Sequence, residues 1–216
     1  MPLELQIFNI AYQLSYWSVY ESPQMIYVIG SDLNVVRDFD LTDNLVSVLK
    51  CNDLNVVSQK VNATRINNFT IYKDNLIVAE LTMNWILKKH GYNSNIIIIG
   101  ISFGACIAAE LIMRRPEISE YILISPPIGY YNLATLAKLD VIGTMIFSDH
   151  DIFAPLSKVY KLHNNAKMNL MCKLKLMLMR NTNYSYKNRF DLLSTVVTKK
   201  CIKCIKRFIY ENDVGL

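Results

Sequence analysis

Histidine is scarce in this chain: three in 216 residues, His90, His150 and His163, leave few places where an imidazole base or metal ligand can stand. Cysteine is sparse and odd in number, five without framework spacing, which argues against a disulfide scaffold and fits reduced thiols in a cytosolic compartment. A strong excess of one charge is missing too, and a net charge of +5 does not by itself call for a nucleic-acid partner. The apolar stretch from Ile96 to Met113 is interrupted by Ser102, Gly104 and Glu110 and closed by Pro116, so it does not read as a transmembrane span. The start, MPLELQIFNIAY, lacks a basic n-region, an apolar core and a small-residue cleavage site. No internal repeat, low-complexity tract or interdomain linker stands out, so the expectation is a cytoplasmic protein with one domain over residues 1–216.

What is present is an ordered-globule composition, 52% hydrophobic against 19% charged, set out in short runs. Residues 1–24 mix aromatic and polar residues and suit an N-terminal β-ribbon or an irregular edge. Met25 to Ile29 reads as a buried strand ended by Gly30 and Ser31, and Asp40 to Lys50 as a helix with Leu41, Leu45, Val46 and Leu49 near one face. Leu54 to Ser58 is a second strand, and Thr70 to Lys89 a long helix that turns Leu76, Ala79, Met83 and Ile86 toward a core. Beyond residue 95 the alternation continues: strands at 96–99, 121–125, 141–147 and 174–179, helices near 133–138, 155–163 and 189–210. Short, nearly continuous apolar strands separated by helices predict an α/β fold, a mostly parallel central sheet with helices on both faces.

Within it, Asn95 to Arg115 reads NIIIIGISFGACIAAELIMRR. Gly100-Ile101-Ser102-Phe103-Gly104 has the form of a nucleophile elbow, which needs a buried strand, a tight turn with small residues two positions either side, and a helix starting under the nucleophile. The same five residues would also serve a plain strand-to-helix turn with a surface serine. An elbow enzyme orders its triad serine, acid, histidine. Asp149 and Asp151 follow a strand and precede a helix that Pro155 opens, and Asp151 is the better candidate acid; both also suit ordinary turn or capping roles. No histidine stands after the last strand. His90 precedes the elbow, His150 adjoins the acid, and His163 ends the helix that follows it.

Taken together, GISFGACIAAELIMRRPEI, the ISPP of Ile124 to Pro127, and the Asp-x-x-x-Pro of Asp151 to Pro155 resemble small bacterial α/β hydrolases related to dienelactone hydrolase, over about residues 96–209. That family's elbow reads G-F-S-F-G-A, and an asparagine-histidine-phenylalanine-phenylalanine run after its last strand supplies the base. The resemblance implies an α/β-hydrolase-like fold, Ser102 as nucleophile and Asp151 as acid. It puts Tyr184 at the expected histidine position, within Asn181-Thr182-Asn183-Tyr184-Ser185-Tyr186. A phenol, with a pKa of about 10 against about 6.5 for imidazole, keeps its proton at neutral pH. The family's His-Pro-His-Pro loop after the first strand, which helps shape the oxyanion hole, is replaced by Val28-Ile29-Gly30-Ser31-Asp32, and its Arg-Phe-Asn-Phe-Arg-Gly loop by Ser58 to Arg65. Phe103 still offers one oxyanion donor, with Gly30 or Ser31 as the second.

Cys201-Ile202-Lys203-Cys204 has redox or metal spacing but lies in a helical pattern without a second Cys or His pair, so no metal or cofactor is expected. Lys199, Lys200, Lys203, Lys206 and Arg207 share a helix face opposite Ile202, Ile205 and Ile209, a pattern that can touch anionic lipid or RNA but better suits a solvated face on a terminal helix. The methionines from Met168 to Met179 read as core and strand filling. Two functions follow as expectations: a degraded serine hydrolase on a small acyl substrate with weak or absent turnover, or a non-catalytic binding or structural module on the same fold.

Overall fold

The computed structural model describes residues 2–7, 10–19, 24–31, 35–36, 39–61, 69–169 and 172–213. Its strands are β1 (Pro2–Ile7), β2 (Ile10–Trp17), β3 (Gln24–Ser31), the short β4 (Val35–Val36) and β5 (Phe39–Asp40), β6 (Val56–Val61), β7 (Asn95–Ile101), β8 (Ile118–Ile124), β9 (Ile142–His150) and β10 (Leu174–Asn183). Its α-helices are α1 (Leu41–Cys51), α2 (Phe69–His90), α3 (Phe103–Arg114), α4 (Leu156–Lys167) and α5 (Phe190–Asp213). One sheet of eight strands carries the order β1-β2-β6-β3-β7-β8-β9-β10. From β6 to β10 every pairing is parallel, and the β1–β2 ribbon adds antiparallel to β6.

The continuous apolar runs exist because both faces of the sheet are covered. Isoleucines 96 to 99 alternate between two cores, Ile96 and Ile98 into one, Ile97 and Ile99 into the other. The first core packs α2, α3 and α4, with Leu76, Ala79, Met83 and Ile86 of α2 all buried in it; the second packs α1 and α5. Asp40 starts α1 by accepting from the backbone N–H groups of Thr42 and Asp43.

The chain passes from β3 outward to β6, then returns through α2 to β7 on the other side of β3. Strand order reverses between β3 and β7, and ligands of open parallel sheets bind at the C-terminal strand ends beside such a reversal. The last residues of β7 and β3 lead into Ser102 and Gly30-Ser31 there.

Several expectations change. Met168 is 87% exposed beyond α4, because it falls after the last turn rather than on β10, although Met179 is buried as strand filling. Helix α4 runs on to Lys167, so His163 is not its last residue. Arg207 does not share the open lysine face: its guanidinium turns back to Glu120 on β8 at 3.0 Å, tying α5 to the sheet. Ile209 is 46% exposed, so the apolar stripe of α5 stops short of its end. Asp32 and residues 62–65 of the replaced family loops lie outside the described residues.

Candidate active site

Ser102 sits between β7 and α3 with φ 53° and ψ −120°, a region sparsely populated by residues other than glycine, and it is 4% exposed. Its own N–H is held by the Ile124 carbonyl at 2.9 Å, and its carbonyl receives Ala105 N–H at 2.9 Å. Both flanking glycines are required by close approach. A Cβ on Gly100 would lie 2.5 Å from the Ala105 Cα, and one on Gly104 would lie 2.1 Å from the Ile29 carbonyl oxygen. The first turn of α3 therefore presses on β3, bringing the Ile29 and Gly30 carbonyls against the helix that follows Ser102. Gly30 has its own reason to lack a side chain, since a Cβ would meet the Thr42 side chain at 2.2 Å. The first N–H groups of a helix have no intrahelical acceptor, so the Phe103 amide at the start of α3 is of the kind that receives anionic oxygen. The Ser102 hydroxyl does not cap α3 and forms no hydrogen bond with the described residues.

The two acids separate. Asp149 points outward and clamps the end of β10, accepting from Asn181 N–H at 2.8 Å and Thr182 N–H at 3.2 Å where the β9–β10 register shifts and Asn181 takes φ 56°. The Asn181 bond leads in holding its pKa below the ordinary carboxylate value. Asp151 turns inward and is 8% exposed; its Oδ1 accepts from Phe153 N–H at 2.9 Å and Ala154 N–H at 3.2 Å. Its Oδ2 is buried without a hydrogen-bond partner among the described residues. Burial raises the Asp151 pKa above the ordinary value, against the opposing influence of Ser125 and the two amides.

Beside Asp151 stands a buried hydroxyl pair that no sequence motif announces. Ser125, at φ 43° just past β8, shares a 2.8 Å hydrogen bond with the Tyr186 phenol, which also reaches the Ile146 carbonyl at 3.3 Å. Tyr186 is fully buried, and burial first, with Asp151 nearby, holds its proton tightly. Tyr184 is the half-buried neighbour; its ring packs edge-on against Phe153, with centroids 5.2 Å apart. No hydrogen bond joins Ser102 to Asp151 or to Tyr184 among the described residues. The histidines stand elsewhere. His90 at the end of α2 contacts the Tyr16 hydroxyl on β2, at the opposite end of the strands, His150 is exposed beside Asp149, and His163 lies on α4.

Cys201 and Cys204 are buried against the second core on α5, and burial leads in pushing the Cys204 thiol up to about 11, the environment of inert rather than reactive thiols. No group of three or more potential metal ligands occurs among the described residues, and no described helix is long and apolar enough to cross a membrane.

The strand order, the elbow at the end of β7 and the acid after β9 now stand together. Among solved structures, a protein of unknown function from Agrobacterium tumefaciens named as an α/β hydrolase superposes with a TM-score of 0.78 at 18% identity, over 95% of this chain and 97% of that one. A serine hydrolase homologue from Coxiella burnetii gives 0.71 at 16% identity over 93% and 96%, and an esterase from Pyrococcus furiosus 0.70 at 14% over 92% and 88%. The fold is that of the α/β hydrolases. No family model matches the sequence. An uncharacterized protein of Rickettsia prowazekii is 24% identical over 144 residues, a stretch that covers 65% of this chain but only 60% of that relative.

On the α/β-hydrolase fold the Asp151 environment gives a pH prediction. A buried acid whose folded pKa is raised costs stability at pH above that value, and the cost is relieved as pH falls through it. Asp151→Asn keeps the Oδ1 acceptor and removes the charge, so it is expected to raise stability at neutral pH. In urea melts the advantage should shrink as pH falls into the carboxylate range; an Asn variant less stable at every pH would contradict an unpaired buried carboxylate.

Proposed function

We propose that the chain derives from serine hydrolases acting on esters or related acyl substrates, related to dienelactone hydrolase, and that its own turnover is weak or absent. In this reading Ser102 is the nucleophile, Asp151 the acid, and the Phe103 amide with Gly30 or Ser31 the oxyanion donors, while Tyr184 occupies the position of the lost base. One observation carries it: among the described residues Asp151 Oδ2 is buried without a hydrogen-bond donor, its neighbouring hydroxyl is Ser125 rather than an imidazole, and none of the three histidines contacts it or Ser102. In a working triad the acid accepts from the imidazole N–H and the imidazole takes the serine proton. Without an imidazole the Ser102 hydroxyl keeps its proton and attacks slowly, as removal of a triad histidine in a serine protease costs on the order of a million-fold in kcat. The neighbours named as an esterase and a serine hydrolase homologue support the hydrolase ancestry through the fold they share.

A non-catalytic binding module is the second reading, favoured by the packing of Tyr184 on Phe153, which puts an aromatic contact beside the acid's loop. The two readings part on the hydrolysis of short acyl esters by the natural chain and Ser102→Ala. Equal rates at the solvent background are expected, and a clear Ser102-dependent rate would overturn the loss of catalysis.

A further inference from the structure

A groove of about 390 Å³ opens between residues 128–134, which follow β8, and one side of α4. It does not include Ser102. The first wall is tied to the turn before α4 and to α4 itself: Gly129 N–H donates to the Phe153 carbonyl at 2.9 Å, and the Lys158 ammonium donates to the Gly129 carbonyl at 2.9 Å. Gly129 is glycine for a steric reason, since a Cβ there would come within 2.7 Å of the Phe153 carbonyl oxygen. The groove is therefore a built feature of the fold rather than a gap between loose segments.

Its lining is chemically one-sided. Lys158, Lys161 and the amides of Asn132 and Asn165 face it, and no Asp or Glu does. Lys161 is exposed and makes no ion pair or hydrogen bond with the described residues. Helix α4 itself has the same sign, with Lys158, Lys161 and Lys167 and no Asp or Glu. The opposing wall is aromatic. Tyr131 is anchored by its ring contacts with Phe103, 5.5 Å away, and with Tyr72, 6.4 Å away and nearly parallel. Tyr130 is 66% exposed at the rim, its ring steadied against Phe153 at 6.2 Å.

A free ammonium opposite a held, solvent-facing ring suits a ligand with charge at one end and a flat apolar body at the other. We propose that this groove binds a small aromatic anion, an aryl phosphate or aryl carboxylate, with Lys161 and Lys158 on the anionic group and Tyr130 and Tyr131 on the ring. Binding here requires no reaction at Ser102, so the groove stands or falls apart from the hydrolase reading.

The test is calorimetric titration of the full chain with phenyl phosphate, and in parallel with benzoate, inorganic phosphate and phenol. At least one aryl anion is expected to bind about tenfold or more tighter than either inorganic phosphate or phenol. Lys161→Glu, an exposed change that leaves the core untouched, should weaken it at least about tenfold, Tyr130→Ala should weaken the aryl anion but not inorganic phosphate, and Ser102→Ala should leave it unchanged. Inorganic phosphate binding as tightly as the aryl anions, an affinity unaltered in Lys161→Glu, or loss of binding in Ser102→Ala would each overturn the assignment.

Discussion

Gly104→Ala is expected to lower stability by about 3 kcal/mol or more, enough to threaten folding of an ordinary domain. The added methyl would lie 2.1 Å from the Ile29 carbonyl oxygen and 2.7 Å from its carbon, and both belong to the backbone of β3 in the middle of the sheet. A flexible side chain can swing away from such a clash. A hydrogen-bonded central strand paired on one side with β6 and on the other with β7 cannot, so the first turn of α3 would have to lift. That displacement would carry Ser102 and the Phe103 amide with it. Gly91→Ala is the control: nothing lies within 4 Å of a Cβ there, and only the φ of +96° resists the change, for a cost of about 1 kcal/mol. Urea unfolding of the two variants against the natural chain reads the difference directly. Equal stability of Gly104→Ala and the natural chain would mean that α3 does not press on β3, and the elbow geometry would be wrong.

Tyr184→His is expected to create Ser102-dependent ester hydrolysis where the natural chain has almost none. A positioned general base contributes roughly 10²- to 10⁴-fold, and Asp151, already held by two backbone amides, has a second carboxylate oxygen without a donor. The gained rate should fall as pH drops below the imidazole value of about 6.5, because the protonated ring cannot accept the serine proton. It should also disappear in the Tyr184→His, Ser102→Ala double variant. A folded Tyr184→His chain with no gain at any pH would contradict Tyr184 as the position of the base.

Much of this architecture was legible in the sequence because its signals are local and redundant. Four isoleucines bounded by Asn95 and Gly100 read most simply as a strand buried on both faces, and the spacing of Leu76, Ala79, Met83 and Ile86 suits one face of a helix. What escaped depends on where the chain turns. Asp149 and Asp151 are two residues apart and chemically identical, yet one clamps Asn181 and Thr182 outside while the other is buried, because Asp151 lies past the end of β9 in its own turn with Phe153 and Ala154. Tyr186 follows Tyr184 by two residues and looks like its equal in sequence. Its phenol, not that of Tyr184, hydrogen-bonds to Ser125, and the left-handed φ of Ser125 that permits this has no signature in Ile-Ser-Pro-Pro. Met168 and Arg207 were misplaced for a similar reason: periodicity gives the face of an ideal helix but not where α4 ends or that Glu120 waits for the guanidinium.

On the proposed reading, Ser102 is well placed but unactivated. Its most direct test is the rate at which the natural chain hydrolyses a short acyl ester at neutral pH, measured beside Ser102→Ala at equal concentration. The expected result is two indistinguishable rates, with Ser102 adding nothing beyond the background of protein and buffer. Sustained turnover that vanishes in Ser102→Ala would contradict it, and would require a group other than histidine to take the serine proton.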